Sequence, residues 1–216
     1  HMNQTSNQKE WLAIVNPNSG KGKGQKDWHI ISEFMRRVNL SFTVKFTEAK
    51  GHAVLLTQEA VKYGCRRIII IGGDGTLNEV VNGILTNDTC PSADISLALI
   101  PVGTGNDWGR MFGIPLDYEK AVSIINEGKQ MLHDVGFVNY FDGSEQKKRY
   151  FINIAGLGFE SVVVKRTNYQ KDRGHSGKAI YFYNLLLSLL SYKNTRAEII
   201  VDGEKKSADV FSINVG

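Results

Sequence analysis

Gly72-Gly73-Asp74-Gly75-Thr76 sets one carboxylate and one hydroxyl among three glycines. Glycines let backbone N–H groups approach an anion closely and reach positive φ. A carboxylate in such a turn is a helix cap, a metal ligand or a proton acceptor. Two other stretches share this character. Asn16-Pro17-Asn18-Ser19-Gly20-Lys21-Gly22-Lys23-Gly24 is rich in turn formers and lysine, and Val102-Gly103-Thr104-Gly105-Asn106-Asp107 is a second glycine turn. The first has no Lys-Ser or Lys-Thr pair to close it, so it lacks P-loop spacing. It reads either as a solvated loop or as a phosphate cradle.

The elements around these stretches decide between the readings. Four consecutive isoleucines, Ile68 to Ile71, predict a strand buried on both faces. Behind the aspartate, Leu77, Val80, Val81, Ile84 and Leu85 recur with the period of a helix. Residues 11–16, 41–46 and 96–101 predict further strands. Residues 25–38 and 52–63 predict helices, with a short helix after residue 107 and another over 118–127. Strands alternating with helices imply a doubly wound parallel sheet. Ligands of such sheets sit beyond the strand C-terminal ends. The Asn16, Asp74 and Thr104 loops all follow strands, so all three should open on one edge around a single phosphate-handling site. The helix that starts at the aspartate turn adds a dipole that favours an anion there.

After Gln130 the pattern changes. Residues 131–140, 149–155, 197–201 and 208–215 read as strands without alternating helices, and Asp142-Gly143 and Asp202-Gly203 are hairpin signals. An insert over 158–192 carries a helix over 178–190. The expected division is therefore 1–10 as a cloning remnant and disordered start, 11–130 as a nucleotide-binding α/β domain, and 131–216 as an antiparallel β region. His52 reads as a helix-start residue, and His133 and His175 as structural. Cys65 and Cys90 lack metal spacing and read as free thiols of a reducing cytoplasm. The longest apolar stretch, 179–190, is too short to cross a bilayer. Net charge is +4, and residues 141–178 are basic enough to face an anionic membrane or to form a solvated loop. No aromatic interleaving of the nucleic-acid type accompanies them.

These motifs carry a resemblance. The run Gly72-Gly73-Asp74-Gly75-Thr76-Leu77-Asn78-Glu79-Val80-Val81-Asn82-Gly83 resembles the signature of the diacylglycerol kinase catalytic domain family, which includes soluble bacterial lipid kinases and sphingosine kinase relatives. Asn16-Pro17-Asn18-Ser19-Gly20 is similar to its first nucleotide loop, and Pro101 to Arg110 to its third. Phe151 to Phe159 and Val201-Asp202-Gly203-Glu204 resemble parts of its second domain. The glycine-aspartate run is shared with NAD kinases, whereas the Pro101 to Arg110 run favours the lipid kinases. The resemblance implies an N-terminal three-layer α/β domain and a C-terminal β-sandwich with the site in the cleft between them. It also implies that the chain is C-terminally truncated and lacks the family's metal loop and assigned general base.

By motif, ATP contacts come from Asn16, Pro17, Asn18, Ser19, Gly20, Thr47, Gly73, Asp74, Gly75, Thr76, Leu77, Asn78, Glu79 and Thr104. Asp74 is the expected catalytic residue, either binding Mg²⁺ or taking the hydroxyl proton, and the metal role is favoured. Asp107 is a second metal candidate or a cap. The implied function is transfer of the γ-phosphate of ATP to a lipid hydroxyl such as that of diacylglycerol. The alternatives are an NAD kinase-like enzyme and a non-catalytic nucleotide or lipid binder on the same fold. The implied setting is cytoplasmic with peripheral membrane contact, without nucleic acid, and open to homodimerisation.

Overall fold

The computed structural model describes residues 10–103, 105–158, 163 and 178–215. They form two compact units, 1–153 and 154–216.

In the first unit a four-stranded sheet has the order β2-β1-β3-β4, all parallel. The strands are β1 (Trp11–Val15), β2 (Phe42–Phe46), β3 (Arg67–Gly72) and β4 (Ser96–Pro101). The helices between them are α1 (Ser19–Arg37), α2 (His52–Lys62) and α3 (Asp74–Leu85), followed by α4 (Asp107–Met111) and α5 (Tyr118–Glu127).

Strand periodicity sorts the core into two layers. Ile68 and Ile70 join Leu12 and Ile14 against α2 and α3. Ile69 and Ile71 join Trp11, Ala13 and Val15 against α1 and α5. All four isoleucines have no exposed surface, and each contributes about 1.5–3 kcal/mol by leaving water. This confirms the doubly wound α/β reading. The outer strand β2 is the half-exposed edge, where Phe42 and Phe46 meet Trp28 edge-on. On the other face Gly83 of α3 faces α2 so closely that a Cβ there would lie 2.7 Å from Thr57 Cβ.

The starts of two helices refine the periodicity reading. α1 spans Ser19–Arg37, but Gly20, Lys21 and Gly22 have left-handed dihedrals, so its continuous right-handed run follows them, near the expected start at Gln25. The lysine loop is thus a left-handed turn fused to the helix. α3 starts at Asp74 itself, so Gly75 and Thr76 are helical and the turn contracts to Gly72-Gly73.

An antiparallel hairpin, β5 (Gly136–Asp142) with β6 (Glu145–Phe151), completes the first unit. Residues 131–135 do not extend β5, and Met131 and Leu132 are exposed. Asn82 of α3 holds the hairpin by pairing with both backbone groups of Tyr150. The change of composition near Gln130 marks where helices stop alternating with strands. The division after Asn153 marks where packing thins.

The second unit holds β7 (Ala155–Gly158) paired antiparallel with β10 (Ser212–Val215), and the hairpin β8 (Thr195–Val201) with β9 (Glu204–Val210). Asp202 and Gly203 both have positive φ, as the predicted hairpin turn requires. α6 (Lys178–Ser191) lies between these pairs in sequence and buries Asn184 and Ser188 while exposing Phe182, Leu189 and Leu190. His175 and residues 159–162 and 164–177 of the basic segment lie outside the described residues. No described helix is long and apolar enough to cross a membrane.

α1 and α5 are tied by the Tyr118 hydroxyl, which donates to Asp27 Oδ2 at 2.8 Å. Burial, then the Asp27 bond and charge, push the Tyr118 phenol up from 10.0 to about 12. Because the folded value is raised, this tie stabilises fully below pH 10 and is lost as pH rises through about 12. An ultraviolet titration should show a late-ionising phenol that Tyr118→Phe removes. Chemical denaturation at stepped pH should show a shallower alkaline loss of stability in that variant.

Candidate active site

The order β2-β1-β3-β4 puts the topological switch between β1 and β3, because the chain leaves β1 toward one side and returns on the other. The loops after β1 and β3 are therefore neighbours, and the loop after β4 lies next along the same edge. Side chains and glycines knit the three together.

Asn16 Nδ2 donates to Thr76 Oγ1 at 2.9 Å, joining the first loop to the second. Its Oδ1 accepts from the backbone of Asn18 at 3.0 Å, and the Pro17 carbonyl accepts from Gln25 at 3.1 Å. Asn18 is the N-cap of α1 and Ser19 its first residue. A Cβ on Gly72 would lie 2.9 Å from Thr76 Oγ1 and 3.4 Å from Ser19 Oγ, so only hydrogen fits there. Gly20 sits against Gly103 of the third loop, 3.2 Å from its Cα by the same measure. Gly73 is equally near the Gly105 carbonyl.

Asp74 makes the second cross-tie. Its Oδ2 accepts from the Asp107 amide at 2.9 Å and its Oδ1 from the Trp108 amide at 3.3 Å. The N-cap residue of α4, Asn106, makes no cap with its own side chain. Its Nδ2 donates instead to the Gly103 carbonyl, and its buried Oδ1 has no hydrogen-bond partner among the described residues. Asp74 is thus a cap, but of α4 rather than of its own helix. Asp107 is exposed and forms an ion pair with Arg110, a surface contact worth little on its own.

The first hydrogen bond within α3 runs from Leu77 N–H to the Gly73 carbonyl at 3.1 Å. The amides of Asp74, Gly75 and Thr76 come before it, at the positive end of the helix dipole. Thr76 is buried, while Gly75 is exposed at the turn. Because Thr76 Oγ1 accepts from Asn16, its own proton is left to donate. The arrangement can hold an anion by backbone amides and one hydroxyl.

Asn16, Ser19, Gly20, Gly73, Asp74, Gly75, Thr76 and Asp107 therefore converge. Leu77 is wholly buried in the core and can offer only backbone. Asn78 is half-buried, and its carbonyl accepts from Asn82 Nδ2. Thr47 is buried at the end of β2, its amide bonded to the Val15 carbonyl. Glu79 turns both oxygens to the start of α2. Thr104 lies outside the described residues. Among the described residues no three His, Cys, Asp or Glu side chains cluster as a metal cage. Magnesium is commonly held by one or two carboxylates together with substrate phosphates. Asp74, whose oxygens each keep acceptor capacity beside their cap bonds, fits that use.

Gly24, Gly72, Asn82 and Asn106 stand inside the loop and motif stretches but are not among the contacts that the motifs assign. Gly24 is the last residue of the glycine-lysine loop, and the sequence carries no local signal that sets it apart from the other glycines there. A Cβ on Gly24 would stand 1.9 Å from the Asn16 carbonyl oxygen, a backbone atom that cannot swing away.

The chain matches the model of the diacylglycerol kinase catalytic domain over residues 10–138. It is 31% identical over 203 residues to a diacylglycerol kinase of Staphylococcus carnosus, covering 94% of this chain and 62% of that protein. It is also 31% identical over 205 residues to a YegS-like protein of Serratia proteamaculans described as a probable lipid kinase, covering 95% and 63%. The crystal structure of a diacylglycerol kinase from Bacillus anthracis shares the fold with a TM-score of 0.67 at 24% identity, covering 96% of this chain and 64% of that one. The chain thus spans less than two thirds of the length of these relatives.

Gly24→Ala should cost about 1–3 kcal/mol through overpacking, despite alanine's better helix propensity. Gly75→Ala is the control, since its added methyl meets nothing within 4 Å. Urea denaturation of both variants checks this: equal midpoints would mean that α1 does not press on the Asn16 carbonyl.

Proposed function

The chain belongs to the diacylglycerol kinase catalytic domain family, and on that premise we propose that it supplies the nucleotide site of an ATP-dependent lipid kinase. The observation that supports this most is the convergence of three strand-end loops, with the first amides of α3 at their centre. Phosphoryl transfer depends on positioning and electrostatic stabilisation more than on covalent catalysis. A site made of backbone donors held rigid by cross-ties suits that demand.

In this reading the amides of Gly73, Gly75 and Thr76 and the Thr76 hydroxyl hold phosphate oxygens of ATP. The left-handed turn at Gly20 to Gly22 closes over them from the first loop. The accepting group is a lipid hydroxyl such as that of diacylglycerol. Its oxygen forms the new bond to the γ-phosphorus in line with departure of ADP, and its proton passes to a base. Asp74 takes the metal side of the site. Mg²⁺, when bound with the nucleotide, would offset charge on the phosphates. Asp107 serves with Asp74 at that edge. The lipid brings the protein to a membrane surface, and contact there is peripheral.

A panel of labelled ATP with diacylglycerol micelles, other lipid alcohols and NAD tests the assignment on the protein that carries this sequence. Label should enter a lipid alcohol; transfer to NAD, or to nothing, would overturn it. In the same assay Asp74→Asn should lower turnover by about a hundredfold or more. Asn keeps one acceptor for the α4 amides, so stability should fall by only about 1 kcal/mol. Turnover like that of the unsubstituted protein would remove Asp74 from the chemistry.

A further inference from the structure

α2 begins without a cap of its own. Its N-cap residue is Gly51, at φ 84°, which has no side chain to offer. His52, the first residue, does not cap it either, because its Nδ1 accepts from the Glu48 amide at 3.0 Å. The acceptors come from another helix: Glu79 Oε1 takes the Gly51 amide at 2.9 Å and Oε2 the Ala53 amide at 3.3 Å. Glu79 is five residues after Asp74, which turns it about 140° around α3 and sets it about 7.5 Å further along the axis. It therefore faces α2 while Asp74 faces α4.

We infer that Glu79 is a positioning residue that sets the β2–α2 loop, and Thr47 within it, against the nucleotide site, and that it does not itself touch the nucleotide. Both of its oxygens are engaged by backbone donors. A carboxylate aimed at ATP phosphates would repel them, whereas at the start of α2 it meets the positive end of a helix. The loop it closes is short and, beside the bond from the His52 amide to the Ala49 carbonyl, is held at three points. Thr47 N–H donates to the Val15 carbonyl, Glu48 N–H to His52, and Gly51 N–H to Glu79. Removing the third point frees the end of the loop that leads back to Thr47. The part played by Thr47 rests on the nucleotide-site reading proposed above; the capping itself does not.

Two variants and two readouts separate these parts. Glu79→Ala loses both bonds, and Glu79→Gln keeps one acceptor while turning an amide N–H₂ toward the other donor. Amide hydrogen exchange of the nucleotide-free protein should speed at Gly51 and Ala53 by about tenfold or more in the alanine variant, with the glutamine variant between. The KM for ATP should rise by roughly tenfold in the same order, while kcat stays within a factor of about two. Unchanged exchange at Gly51 and Ala53 would overturn the cap. Faster exchange with an unchanged KM would overturn the positioning role. A rise in KM without faster exchange would mark Glu79 as a direct nucleotide ligand, against the inference. If the unsubstituted protein transfers no phosphate and binds no ATP, the kinase reading falls, and exchange alone decides whether Glu79 is the cap.

Discussion

The first amides of a helix have no partners within it, and something must satisfy them. In this protein α2 and α4 both begin at residues that give no side-chain cap. α3 supplies what they lack, through Glu79 on one side and Asp74 on the other. A third residue of the same helix, Asn82, satisfies the backbone of Tyr150 in β6. One helix thus closes the hydrogen bonding of three neighbours. Charge-assisted bonds to backbone N–H groups are stronger than neutral ones, and they orient as well as stabilise.

This arrangement explains why the glycine turn cannot be considered alone. α3 enters directly from Gly72-Gly73, so any shift of the turn moves the caps of α2 and α4 with it. The reverse also holds. Gly72 against Thr76 and Gly24 against the Asn16 carbonyl leave no room for a methyl group, and Gly20 is tight against Gly103. The sheet order brings the loops together, and the missing side chains let them touch. Close packing of backbone on backbone restrains the donors, and a binding site for a charged group needs them held to about 0.5 Å.

Much of this was legible in the residues. The isoleucine run and the helix periods give the parallel sheet, and three glycine-rich strand ends give a common edge. The family motifs suggest a nucleotide site on Asn16 to Gly20, Thr47, Gly73 to Glu79 and Thr104, and the structure brings Asn16, Asp74 and Thr76 of these loops together. Three things were not legible. The left-handed turn at Gly20 to Gly22, ahead of the continuous run of α1, leaves no mark that periodicity registers. The direction of Asp74 and Glu79 was hidden because a capping partner distant in sequence leaves no local pattern. α6 runs against the pattern altogether, with Asn184 and Ser188 inside and leucines outside. A rule that buries the apolar stripe would have turned it the wrong way.

The direction of Asp74 bears on which of its two proposed roles is physically easier. A carboxylate that collects a proton from an incoming hydroxyl must reach that hydroxyl. Asp74 has both oxygens committed to successive amides of α4, so reaching outward would cost at least one of those bonds. Each oxygen keeps a second acceptor direction, however, and a fixed carboxylate can use it for a metal-bound water without moving. The same bonds that make Asp74 a cap hold it still, and a ligand to a metal that arrives with its substrate needs to be held still. The cap and the metal role are therefore compatible in one side chain. The cap and a mobile base are not.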